Sequence, residues 1–79
     1  MTKETLGMAL YNLRTRRYQE TEKEQFKSAR AFSLWIGKNS TYISNLEAGN
    51  NYPRVNTLLV ILSELGYTLE DLDNELKKL

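Results

Sequence analysis

The sequence predicts an all-α domain of five short helices. Three observations carry this. Apolar residues recur at three- and four-residue spacing along most of the chain, capping residues precede these runs and glycines close them, and 79 residues suffice for one modest core but not for a second lobe.

The first helix is marked by Leu6, Leu10 and Leu13, with Thr2 or Thr5 available as a cap and Glu4 placed to complement the helix dipole. After Arg17 the segment YQETEKEQFK has no Gly or Pro. Its Glu20–Glu24 and Lys23–Lys27 pairs set like charges four residues apart, whereas Glu20–Lys23 is a favourable three-residue pair. Helix and loop both remain open over 18–27, and the expectation taken forward is an extended helix 1, or else an insertion after it. Ser28 caps a second helix that runs to Ile36 and is broken by Gly37. After a three-residue turn Asn39 caps the third, which Gly49 and then Pro53 bring to an end. The near-continuous apolar spacing of Val55, Leu58, Leu59, Ile61, Leu62 and Leu65 predicts a mostly buried fourth helix that stops at Gly66. Thr68 and Asp71 form a capping box for the fifth, which carries Leu69, Leu72, Leu76 and Leu79. With no repeat and no low-complexity linker, residues 1–79 are expected to form a single domain.

Composition removes whole classes of chemistry. Without cysteine or histidine there is no disulfide, no thiol nucleophile, no zinc site of the usual ligands and no imidazole base. Glu20, Glu22 and Glu24 sit in a solvated run with no partner base, so an enzyme is not expected, nor a cofactor or metal. The segment MTKETLGMAL is too short and polar for a secretory signal, and no apolar run approaches the ~20 residues that span a bilayer, which makes a cytoplasmic location the expectation. The net charge of +1 hides an asymmetry. Residues 1–63 hold nine Lys/Arg against five Asp/Glu, and residues 64–79 hold two against five. A basic body with an acidic C-terminal helix fits a protein that turns one face toward phosphates.

Helices 2 and 3 form a corner. Phe32 and Ile36 on one and Ile43 and Leu46 on the other point to a shared core, and Ser33 is small where the two helices must approach. The outward face of helix 3 is left with Ser40, Thr41, Tyr42, Ser44 and Asn45, which are short donors and acceptors without charge. The stretch FSLWIGKNSTYISNLEAGNNYP, together with LGMALYNLR before it and RVNTLLVILSELGYTLEDL after it, resembles the phage repressor and Cro type of helix-turn-helix family, also called the xenobiotic-response-element type. The resemblance covers nearly the whole chain and implies a lambda-repressor-like DNA-binding domain. It further implies that Ser40, Thr41 and Asn45, with Ser44 nearby, face base edges in the major groove. Ser28, Lys38, Asn39 and Tyr42 would then lie along the DNA backbone, with free amides helping at the helix start, as would Asn50, Asn51 and Arg54 in the following loop. Arg14 and Glu47 stand where the family places a structural ion pair. Asn39 has an alternative role as a cap only, Asn50 and Asn51 as turn formers, and Arg16, Arg17, Lys27 and Arg30 as plain solvated charges.

The chain also departs from that pattern. About eight extra residues lie between Arg17 and Ser28, Ala29 replaces the glutamine usual at the start of helix 2, and Leu34 and Trp35 occupy an outward face where the family tends to place charges. Tyr18 and Phe26 of the inserted segment are expected to cover Leu34 and Trp35; the rival is a protein partner at those two residues. The function implied is a transcriptional regulator, expected to be a repressor, that reads an operator in double-stranded DNA as a homodimer. Leu69, Leu72, Leu76 and Leu79 are the candidate dimer surface, half of them expected to face the core. The alternative is a protein-interaction module on the same fold, antitoxin-like or an anti-repressor partner.

Overall fold

A computed structural model describes residues 1–79 as five α-helices and one short 3₁₀ turn, with no strand. Helix α1 spans Lys3–Thr21. The Thr2 hydroxyl accepts from the Thr5 N–H, and the Thr5 hydroxyl accepts from the Thr2 N–H, so both threonines named from the sequence share the cap. The expected extension of this helix holds as far as Thr21. It stops at Glu22, which takes a left-handed backbone (φ 56°) at a cost of about 1 kcal/mol for a residue with a Cβ. The 3₁₀ turn Glu24–Phe26 then drops Phe26 into the core, edge-on to Phe32 with ring centroids 5.8 Å apart. Helices α2 (Ala29–Trp35), α3 (Tyr42–Glu47), α4 (Val55–Leu65) and α5 (Leu69–Lys77) follow in the predicted order. None is long and apolar enough to cross a membrane.

The core is one cluster, to which α1 contributes Leu6, Ala9, Leu10 and Leu13. Phe26 and Phe32, Ile43 and Leu46 of α3, Ile61, Leu62 and Leu65 of α4, and Leu72 of α5 close around them. Helix α1 is therefore the post against which α3 and α5 pack. Contact with α3 is at backbone distance. A Cβ on Gly7 would lie 2.8 Å from the Glu47 carbonyl oxygen and would overlap that of Leu46, so no larger residue fits there without separating the two helices.

The end of α3 is fixed by charge as well. Arg14 donates from Nε to Glu47 Oε2 at 2.7 Å and from Nη2 to Oε1 at 3.0 Å, while its Nη1 reaches the Phe26 carbonyl at 3.1 Å. Both side chains are more than nine-tenths buried, so the ion pair implied by the resemblance is present as a two-pronged contact. It also ties down the inserted segment. On the other side of α1, Arg16 Nη2 meets the buried Glu75 carboxylate at 2.6 Å and Asn12 adds a hydrogen bond at 3.2 Å, which docks α5. Arg17 donates to the Leu65 carbonyl at 2.7 Å and lies 4.4 Å over the Tyr67 ring, closing the last turn of α4. Arg16 and Arg17, though partly exposed, are thus engaged by partners within the fold rather than left as free charges.

Three expectations need correction. Helix α4 is not mostly buried: Ile61, Leu62 and Leu65 face inward, whereas Val55, Leu59 and Val60 are exposed, because α1 covers only one side of it. Of the leucines proposed as a dimer surface, Leu72 lies in the core and Leu76 packs against it, while Leu69 and Leu79 are exposed. Nor do Tyr18 and Phe26 cover Leu34 and Trp35. Phe26 is consumed by the core and Tyr18 packs against the same cluster, which leaves Leu34 and Trp35 each 54% exposed.

Two outcomes follow from these contacts. Glu47→Ala, which strands the Arg14 guanidinium without its partner, is expected to cost ~3 to 5 kcal/mol in urea unfolding; a loss under 1 kcal/mol would show that the pair anchors nothing. The Arg16 hydrogen bond, outweighing burial and helped by Asn12, holds the Glu75 carboxyl below the usual carboxylate range. A lowered folded pKa contributes stability above the unfolded value of about 4.5, and that stability is lost as the pH falls through the folded value. Glu75→Gln should accordingly flatten the decline of stability below that pH, and an unaltered profile would place the acid sensitivity elsewhere.

Candidate nucleic-acid interface

The corner between α2 and α3 is built from local hydrogen bonds. Gly37 turns the chain with φ 78°, its N–H bonded to the Leu34 carbonyl at 3.1 Å and the Lys38 N–H to that of Ser33 at 2.9 Å. A Cβ on Gly37 would meet nothing within 4 Å, so the backbone angle and not space requires glycine there. Asn39 then accepts at Oδ1 from the Thr41 N–H (3.1 Å) and from the Thr41 hydroxyl (3.0 Å). Asn39 therefore does not cap the helix as expected: regular helix begins at Tyr42, its N-cap position is Thr41 with no side-chain capping bond, and Asn39 closes a turn over residues 40–41 instead. At the far end Gly49, with φ 79°, bonds to the Leu46 carbonyl in the left-handed closing position expected for it.

Ser33 holds this corner shut. Fully buried, it donates to the Ala29 carbonyl at 2.7 Å and accepts from the Ile43 N–H at 2.9 Å. An amide in the first turn of α3, which has no partner within its own helix, is thereby satisfied by a side chain of α2. The sequence marked Ser33 only as small; its hydroxyl does the joining.

Above this base α3 is two-faced. Ile43 and Leu46 are buried, and Thr41, Ser44 and Asn45 are exposed on the opposite side. Ser40 is half-buried at the edge of that face. The Ser44 hydroxyl donates to the Thr41 carbonyl at 2.9 Å, and Asn50 Nδ2 lies 3.4 Å from Asn45 Oδ1. Ser44 and Thr41 therefore turn outward chiefly as acceptors, while the amide nitrogen of Asn45 makes no bond within the protein. The expected free amides at the start of α3 are found in part: those of Asn39, Ser40 and Ser44 make no hydrogen bond within the protein. Those of Thr41, Tyr42 and Ile43 are bonded to Asn39 Oδ1, the Asn39 carbonyl and Ser33 respectively.

Several cations on the same helices and loops are left without a partner. Lys27, Arg30, Lys38 and Arg54 are all exposed and have no carboxylate partner, in contrast to Arg14, Arg16 and Arg17. Lys38 Nζ sits 5.3 Å above the half-buried Tyr42 ring, which fixes the direction of its stem. Ser28 caps α2 by accepting from the Ala31 N–H at 3.0 Å. Asn50 and Asn51 are exposed in the segment that leads from α3 to α4, just before Arg54.

A separate feature lies beside α2. Leu34 and Trp35, with Ala31, Glu24 and Gln25, border an open cleft of about 470 Å³, and the Trp35 indole N–H donates to Glu64 at 3.1 Å. No cluster of His, Cys, Asp or Glu side chains suited to a metal ion is present. Comparison of the chain with protein-family models, with curated proteins and with solved structures finds no match.

Ser33→Ala, which leaves the Ile43 N–H buried and unpaired, is expected to cost ~1 to 3 kcal/mol and to raise hydrogen exchange at the Ile43 amide more than at Leu10. Equal exchange at both would mean that Ser33 is not what closes the corner.

Proposed function

We propose that the chain is a sequence-specific binder of double-stranded DNA that regulates transcription, acting as a repressor by occupying its operator. The observation that carries the reading is the outward face of α3, where Thr41, Ser44 and Asn45 stand exposed and uncharged over the buried pair Ile43 and Leu46, with the unpaired Lys38 beside Tyr42. A helix enters a major groove about 12 Å wide, and short hydrogen-bonding side chains reach base edges there without the desolvation cost of a buried charge. Asn45, whose amide nitrogen is free, can pair with an adenine through two hydrogen bonds, and Thr41 can set its methyl against that of thymine. Lys27, Arg30, Lys38 and Arg54 would neutralise phosphates and set the register of α3. Lys38 takes that part through its side chain, its own amide being bonded to the Ser33 carbonyl, while the amides of Asn39 and Ser40 stay open to a phosphate. Reading a near-palindromic operator requires two copies, with half-sites ~34 to 36 Å apart.

The second reading, a protein-interaction module, rests on the uncovered Leu34 and Trp35 and the cleft that they border. Salt separates the two. Binding to DNA weakens steeply as salt rises because counterions are released from phosphates, whereas an apolar protein contact does not. Selection of bound sequences from a random duplex pool should return a consensus; failure to retain any duplex at low salt would end the DNA reading.

With the consensus in hand, Asn45→Ala or Thr41→Ala is expected to cost ~1 to 3 kcal/mol on the cognate site and to relax base preference at one position. Discrimination unchanged in a binding titration would exclude direct readout by these residues. Arg54→Ala should weaken all sequences alike and reduce the slope of log affinity against log salt by about 0.9. An unaltered slope would place Arg54 away from phosphate.

A further inference from the structure

A cleft of about 230 Å³ lies between the turn that joins α2 to α3, from which Ile36 and Lys38 border it, and the first turns of α4, which add Asn56, Thr57 and Val60. Its polar groups are of one kind. Lys38 has no carboxylate partner, and its stem is directed by the Tyr42 ring. Asn56 Oδ1 accepts from the Thr57 N–H at 2.9 Å, so the carbonyl end of that side chain is taken up by the backbone while its amide N–H groups make no bond within the protein. The Thr57 hydroxyl makes none either. What stays open is an ammonium, an amide and a hydroxyl, each able to donate, beside the apolar side chains of Ile36 and Val60.

We propose that this cleft binds a small organic anion, a carboxylate that carries a short alkyl chain. The head is chosen by the donors. An ionised carboxylate only accepts hydrogen bonds, so it matches three groups that no acceptor of the chain occupies, and its charge answers that of Lys38. The tail is chosen by the walls. Val60 lies one turn beyond Asn56, roughly 6 Å along the axis of α4, and an alkyl chain laid in that direction takes Val60 and Ile36 out of water. Drug-sized ligands occupy pockets of ~300 to 1,000 Å³, so the space here holds only a few carbons. The other two clefts on the surface do not suit an anion. Glu24 borders the one beside Trp35, and Glu64 borders the one between α1 and α4, whereas no carboxylate borders this one. A phosphate of a DNA backbone shares the charge of such a ligand but brings no alkyl chain, and that difference separates the two at Lys38.

The site is independent of the DNA reading and is tested on the free protein. Titrating the isotope-labelled chain with hexanoate should move the amide signals of Ile36, Lys38, Thr57 and Val60 along a saturable curve and leave those of Leu34 and Trp35 in place. Acetate and inorganic phosphate, which lack the tail, and hexanol, which lacks the charge, should each bind at least about tenfold more weakly. Lys38→Gln and Val60→Asp, both at exposed positions, should lower the hexanoate affinity by at least about tenfold with circular dichroism unchanged, and Lys38→Arg should retain it. The absence of a saturable shift, shifts centred on Leu34 and Trp35, phosphate or acetate that binds as tightly as hexanoate, or a Lys38→Gln variant that binds as before would each overturn the proposal.

Discussion

Six residues of helix cannot hold themselves together in water, where nucleation alone outweighs so few hydrogen bonds. Helix α3 has six, and everything proposed for this chain depends on its being held in one orientation. The fold grips it at both ends and beneath. Ser33 takes an amide of its first turn, Arg14 takes the carboxylate of its last residue, and Ile43 and Leu46 sink between α1 and α2. Gly7 lets α1 press backbone to backbone against the C-terminal end, so the helix cannot tilt without opening a gap. The polar side chains on the outward face carry none of this burden, which leaves them free to vary with whatever they touch.

How legible this was from the chain depended on how local the cause is. The caps at Thr2, Ser28 and Thr68, and the closing positions of Gly37, Gly49 and Gly66, are set by residues three to six apart, and all were readable. The faces of α4 were not. A helix apolar nearly all round has no period from which to tell inside from outside, and only the placement of α1 decides that Leu62 is covered and Leu59 is not. The roles of Arg16 and Arg17 depend on partners about fifty to sixty residues away, so their sequence neighbourhood showed only two adjacent charges. Arg14 and Glu47 were found through a resemblance rather than through spacing.

The candidate site shows the same division. Alternation of buried and exposed residues along α3 could be read directly, as could the short polar types on its outer side. What the sequence could not supply was the state of each hydrogen-bonding group. Thr41 and Ser44 spend their hydroxyl protons on neighbours, and the amides of Tyr42 and Ile43 are occupied while that of Ser44 is not. A ligand approaching this face meets acceptors, the free side-chain amide of Asn45, the open backbone amide of Ser44 and the uncompensated charge of Lys38.

The part of the inserted segment that lies between α1 and α2, residues 22–27, is fastened at both of its ends. Phe26 is embedded and its carbonyl is held by Arg14, while the Glu22 N–H is bonded back to Tyr18. Between these points Glu22 and Lys23 are exposed, and neither takes part in the core. Additional residues spliced in at that bend would enter solvent without pulling on either anchor. The molecule therefore carries a natural attachment point for a fluorophore or a tether, remote in the chain from the helix whose orientation matters.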